Sequence, residues 1–166
     1  MLAIGIDPGT AITGYGLVRE LADGSLEMVD YGVIQTSAGQ AMPDRLVLLY
    51  QELKQIILLH EPQSGAVEKL FFARNVRTAL SVGQARGIAL LALAESGVSI
   101  AEYSPNEIKQ AVAGYGGAEK MQVQMMVQAL LDLEQIPQPD DAADALAVAI
   151  CHLHSARMRA LEDQSE

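Results

Sequence analysis

The sequence predicts an α/β domain on a mixed five-stranded sheet, three strands antiparallel and then two parallel, with helices on its flanks. Three observations predict it. Three β-patterned segments follow one another within the first 35 residues with only short connections, as in an antiparallel meander. Helical and strand-like patterns then alternate along the rest of the chain. Half of the 166 residues are apolar, too many for a disordered chain and enough for one sizeable core.

Each element has its own warrant. Leu2–Asp7 is an apolar run stopped by Asp7-Pro8-Gly9, which reads as a buried strand ended by turn chemistry. Ile12–Leu21 is a second strand, rich in glycine and β-compatible residues. Gly24 marks a turn before a third strand at Leu26–Gln35. From Pro43 to His60, Leu46, Leu49, Leu53, Ile56 and Ile57 recur with helical period. Ala66–Phe72 is a strand, Val76–Glu95 a long helix that stops near Gly97, and Val98–Tyr103 the fifth strand. Ser104-Pro105-Asn106-Glu107 carries a capping box, with Ser at the N-cap, Pro in the first helical position and Glu at N3. After the flexible Gly114–Gly117 link, Lys120–Leu131 is a helix with Met121, Met125 and a valine as gap-filling apolar residues. Pro139 opens a last helix that runs to about Arg159. One domain spans residues 1–160, and residues 161–166 form a polar, frayed tail.

Composition excludes several classes. No apolar stretch approaches the roughly 20 residues that span a bilayer, and Met1-Leu2-Ala3 lacks the basic start of a secretory leader. Cys151 is the single cysteine, so no internal disulfide forms, and a cytoplasmic setting is expected. The formal charge of −10 speaks at first against nucleic acid as a partner. The charge is uneven, however. Residues 69–120 hold six basic residues (Lys69, Arg74, Arg77, Arg86, Lys109, Lys120) against four acidic ones, and both flanking thirds are net acidic.

Four acids stand apart from the solubilising majority. Asp7 ends an apolar strand and Glu68 lies inside another. Asp141 and Asp144 share one face of an alanine-rich helix that is apolar nearly all round. Carboxylates on packing faces are costly unless they are paired or bind metal. No basic residue on the same helix lies near Asp144. Four such acids suit two hard divalent cations, Mg²⁺ above all with Mn²⁺ as substitute. Singly, each acid has a plainer reading: Asp7 as a turn cap, Asp141 as a favourable charge at a helix start.

Five motifs taken in order resemble a known family: Gly5-Ile6-Asp7-Pro8-Gly9, Val67-Glu68 followed by Phe71, Gly83-Gln84-Ala85-Arg86-Gly87, Ala118-Glu119-Lys120, and Asp141-Ala142-Ala143-Asp144-Ala145-Leu146-Ala147. The set is similar to the RuvC family of bacterial Holliday-junction resolvases and covers about residues 2–155. The resemblance implies a ribonuclease H-like fold and a homodimer. It implies Mg²⁺-dependent nicking of four-way junctions in recombination and repair, with 5′-phosphate and 3′-hydroxyl ends, beside a branch-migration helicase. It places the metal ligands at Asp7, Glu68, Asp141 and Asp144, where some members carry His in place of Asp141. It matches Lys109 and Lys120 to basic residues near the junction, Lys120 being also a candidate catalytic residue that offsets phosphoryl charge, and matches Phe71 to an aromatic that contacts junction bases, with Phe72 beside it. Arg74, Arg77 and Tyr115 are further candidate DNA contacts. Asp140, four residues before Asp144, is a neighbouring acid outside the pattern.

Two such cations would lower the barrier to phosphodiester hydrolysis by positioning and charge. A C2 dimer would match the two-fold symmetry of a junction, and the apolar surplus on Val76–Glu95 is a candidate seam, burial within the monomer being the other reading. His152 and His154, two residues apart, do not share a helical face and read as polar residues near a helix end. Three other functions fit parts of the sequence. Gly5–Thr10 resembles the first phosphate loop of actin-like nucleotide-dependent enzymes, though 166 residues leave no room for their second domain. A resolvase-like ribonuclease acting on ribosomal RNA precursors and a non-catalytic nucleic-acid-binding module share the expected fold.

Overall fold

The computed structural model describes residues 1–70 and 76–163. Strands β1 (Leu2–Asp7), β2 (Ile12–Glu20) and β3 (Leu26–Gln35) are followed by helix α1 (Met42–His60), strand β4 (Ser64–Glu68), helix α2 (Val76–Glu95), strand β5 (Ser99–Tyr103), and helices α3 (Pro105–Ala113), α4 (Lys120–Leu130) and α5 (Asp140–Asp163). The sheet order is β3-β2-β1-β4-β5. β1 pairs antiparallel with β2 and β2 with β3, while β1 with β4 and β4 with β5 are parallel. The ribonuclease H-like arrangement expected from the sequence, three antiparallel strands and then two parallel ones, is the one observed.

The alternation of side chains along a strand divides the core into two layers. From β1, Leu2, Ile4 and Ile6 pack with Leu49, Leu53 and Ile57 of α1 and with Ala85, Ala89 and Leu93 of α2. Ala3, on the opposite face, packs with Ala66 of β4, Val112 of α3, Val127 of α4 and Leu146 and Ile150 of α5. By the same period Gly5 and Asp7 follow Ala3, and Glu68 follows Ala66, onto the α5 face.

Helix α5 lies hard against that face because β1 and β2 are bare there. A Cβ added at Gly14 would overlap the Asp141 carbonyl oxygen, and one at Gly5 would overlap that of Ala145. The close approach sets the start of α5 directly over the end of β1, since Gly14 is the cross-strand partner of Asp7.

The structure corrects several boundaries and environments. Strand β4 ends at Glu68, not at Phe72. Its partner β5 ends at Tyr103, because Ser104 caps α3 by accepting from the Glu107 N–H, and Lys69 N–H donates to the Tyr103 carbonyl as the last rung. The apolar Leu70-Phe71-Phe72 had suggested a longer strand. Helix α5 continues past Arg159 to Asp163. Met121 and Met125 fill no gap: each is 56% exposed, and Val123 and Val127 supply the buried face of α4. His152 is buried, its Nδ1 3.1 Å from the Tyr103 hydroxyl. His154 is half-buried, with Nδ1 3.2 Å from the Ala111 carbonyl. Among the described residues no helix is long and apolar enough to cross a membrane.

Candidate active site

The parallel register of β1 and β4 builds the site. Ile6 pairs with Val67, so the next residues along, Asp7 and Glu68, stand side by side at the carboxyl ends of two central strands, on one face. Their carboxyl groups stand close enough to act directly on one another's ionisation. The first turns of α5 bring Asp141 and Asp144 over them, close enough for both charges to act on Asp7. Four acids distant in sequence thus meet at one end of the sheet, all half-buried.

Their mutual effect is large. Burial, then the charge of Glu68 and its hydrogen bond, then the charges of Asp144 and Asp141 push the Asp7 carboxyl up to about 8. Burial also raises Glu68, helped by the charge of Asp144, although its hydrogen bond with Asp7 and the charges of Lys109 and Lys120 pull it back. Asp144 is raised by burial, against the hydrogen bond and charge of Lys120. A site whose carboxylates resist ionisation in one another's presence lacks positive charge.

Lys120 supplies part of that charge. Its Nζ is 3.1 Å from Asp144 Oδ2 and 3.4 Å from Asp140 Oδ2. Burial acts to lower Lys120, but the hydrogen bonds and charges of the two aspartates outweigh it and hold the ammonium above its ordinary value. The α5 carboxylates therefore do have a basic partner, one that comes from α4 and is invisible to a search along their own helix. The sequence pattern itself gives Asp140 no part in the site. Its spacing of four from Asp144 was the available clue.

Two grooves flank Glu68. One, of about 250 Å³, runs between α3, α4 and α5 and is lined by Glu68, Lys109, Lys120 and Asp144 over an apolar floor of Ile108 and Val123. The other, of about 300 Å³, lies between β1, β4 and α2 and is lined by Asp7, Glu68, Lys69 and Thr78. Pro105 borders both. Lys109 thus joins the four acids and Lys120. Arg77 is exposed beside Thr78, and Tyr115 is exposed with its hydroxyl donating to Gln122 Oε1 at 2.6 Å; neither lines either of these two grooves. Phe71, Phe72 and Arg74 lie outside the described residues.

The donor set, carboxylate oxygens crowded in a half-buried cleft, fits a hard divalent cation. Among the described residues, however, no three such side chains are gathered into a ready-made cage. Lys120, 3.1 Å from Asp144 Oδ2, occupies an oxygen that a cation would use.

Residues 3–152 match the family described as Crossover junction endodeoxyribonuclease RuvC. The chain is 52% identical over 165 residues to the protein of that name from Syntrophomonas wolfei, covering 99% of this chain and 95% of the relative. It is 57% identical over 156 residues to the one from Chloroflexus aggregans, with 94% of each covered. Among solved structures, RuvC of Thermus thermophilus in complex with Holliday junction substrate superposes with a TM-score of 0.90 at 36% identity, over 95% of this chain and 96% of that one. With a domain-long family match and a shared fold, the chain belongs to the crossover junction endodeoxyribonuclease RuvC family.

Proposed function

We propose that this protein is a structure-selective endonuclease that resolves four-way (Holliday) DNA junctions by paired symmetric nicks, in homologous recombination and DNA repair of a bacterial cytoplasm. The observation that carries the reading is the meeting of Asp7, Glu68, Asp141 and Asp144 at one end of the sheet, with Lys120 and Lys109 at the rim. Relatives that match nearly the whole chain are crossover junction endodeoxyribonucleases by name, which supports the reading.

In this reading the four acids are the ligands for two Mg²⁺ ions, with Mn²⁺ as a substitute. Bound there, the ions would supply the positive charge that stabilises the attacked phosphodiester and acidifies the attacking water. The protein's own part is positional. Asp7, from the central strand, is the acid best placed to serve both ions, since Glu68, Asp144 and Asp141 all act on it. The lysines of the groove, Lys109 and Lys120, guide the DNA backbone past Glu68, and Lys120 offsets charge developing on the phosphoryl oxygens. Phe71, Phe72, Arg74, Arg77 and Tyr115 are the remaining DNA contacts in this reading. Cleavage leaves 5′-phosphate and 3′-hydroxyl ends.

Two symmetric cuts call for two sites, and a homodimer about a two-fold axis supplies them. The outer face of α2 supports this. Val76 and Leu80, 77% and 67% exposed, form an apolar stripe with Leu91, and Gly87 on the same face meets nothing within 4 Å. This favours the seam reading of α2 over burial within the monomer. A branch-migration helicase is the proposed further partner.

The testing experiment is Asp7→Asn. It abolishes cleavage of a synthetic four-way junction while leaving junction affinity intact. Cutting at the normal rate by this variant would refute the site.

A further inference from the structure

Lys120 Nζ is shared between two carboxylates of α5, Asp144 at 3.1 Å and Asp140 at 3.4 Å. The two acids are four residues apart, so they lie one above the other on the helix, and an ammonium with three donors reaches both. Their situations differ. Asp144 is half-buried and faces Glu68 and Asp7, whereas the Asp140 side chain is 54% exposed and stands on the outer side of the lysine. Lys120 opens α4, separated from the Gly116-Gly117 link by Ala118 and the N-cap Glu119, and its own side chain is 55% exposed. Packing does little to hold such a flexible side chain in place.

These contacts have a consequence for any cation at the site. An Asp144 engaged with a divalent ion has less charge to offer Lys120, and the ion itself repels the ammonium. A lysine held by Asp144 alone would then be released to solvent. Asp140 offers it a second seat outside the cluster.

We propose that Asp140 is a positioning residue that acts through Lys120, keeping the ammonium at the rim of the site when Asp144 turns to a cation. The inference rests on the reading of the four acids as the cation-binding centre of a nuclease. It gives a role to an acid that belongs to neither the ligand set nor the DNA contacts.

A double-mutant cycle on the full chain tests it, with wild type, Asp140→Asn, Lys120→Ala and the double variant. The first readout is Mg²⁺ binding to the free protein by calorimetry. Asp140→Asn weakens it several-fold when Lys120 is present, because the lysine then leans on Asp144 alone and competes with the ion. In the Lys120→Ala background only the small loss of one nearby negative charge remains. The second readout is junction cleavage at saturating Mg²⁺. Asp140→Asn lowers kcat about tenfold with KM little changed, Asp140→Glu restores kcat, and Asp140→Asn changes nothing further once Lys120 is Ala, a coupling of the size that contacting residues show. Equal effects of Asp140→Asn in both backgrounds overturn the proposal. If the wild type cuts no junction, the nuclease reading fails while the binding cycle still decides the role of Asp140. If the wild type cuts and the cycle is additive, the role of Asp140 alone fails.

Discussion

At the scale of single residues, the clustered carboxylates make stability depend on pH in a definite sense. Asp7 has its ordinary value of 3.8 in the unfolded chain and about 8 in the folded one, through burial and then the neighbouring acids. Between those values the folded chain holds a proton that the unfolded chain has lost. The stability this carboxyl contributes is therefore complete below about pH 3.8, declines as pH rises, and is gone above about pH 8. The metal-free protein should melt at a lower temperature at pH 9 than at pH 6, and Asp7→Asn should flatten that decline; calorimetric melts of both proteins across this range check it. Millimolar Mg²⁺ should raise the melting temperature most at the alkaline end, since it relieves the same repulsion. Lys109→Ala should weaken junction binding and reduce its salt slope by about one; an unchanged slope removes Lys109 from the DNA contacts. Most of the acidic site was legible residue by residue, because Asp7, Glu68 and Asp144 interrupt apolar segments. The contacts of Lys120 were not legible. They join α4 to α5 across the loop of residues 131–139, and no local pattern records which acid a surface lysine meets. The partnership of His152 with Tyr103 escaped for the same reason: it joins α5 to β5.

At the scale of elements, the site depends on how closely α5 lies on the sheet. Gly14 and Gly5 permit that distance, and the carbonyls of Asp141 and Ala145 occupy the space that a side chain would take. Gly14→Ala should force α5 outward. Overpacking of this kind costs about 1–3 kcal/mol or more, which lowers the melting temperature of a chain this long by several degrees. Activity should fall further than stability, because Asp141 and Asp144 move away from Asp7. Thermal melts and cleavage rates of the one variant measure both effects, and normal activity in the Gly14→Ala protein would show that the close approach is dispensable. The glycine-rich character of β2 was plain from the sequence, but its cause was not, since a missing Cβ is explained only by the helix that fills its place. Strand β4 shows the reverse. The apolar run up to Phe72 promised a longer strand, and the length was decided by its neighbour β5, which stops where Ser104 caps the next helix.

At the scale of the whole molecule, the proposed junction cleavage turns on charge and on the proposed two-fold symmetry. The net charge of −10 opposes binding to a polyanion, yet Lys109 and Lys120 line the groove beside Glu68. Where the cations sit outweighs the total. Binding to linear duplex should accordingly be weak and steeply salt-dependent. The α2 face makes a separate prediction. Leu80→Glu, placed on the exposed stripe, should convert a dimer to monomer in sedimentation or light scattering and leave the fold intact. A monomeric wild type would refute the seam. The mixed sheet and its element order were legible as a whole, because the hydrophobic period changes clearly from one segment to the next.

The central claim is that one end of this sheet is a divalent-cation-dependent nuclease centre for branched DNA. The most direct measurement is a nicking assay of the full chain on a synthetic four-way junction and on linear duplex of the same sequence, each with Mg²⁺ and with EDTA. Such a centre gives paired nicks at symmetric positions in the junction with Mg²⁺, little cutting of the duplex, and none with EDTA. Equal cutting of both substrates, or cutting that persists in EDTA, would contradict it.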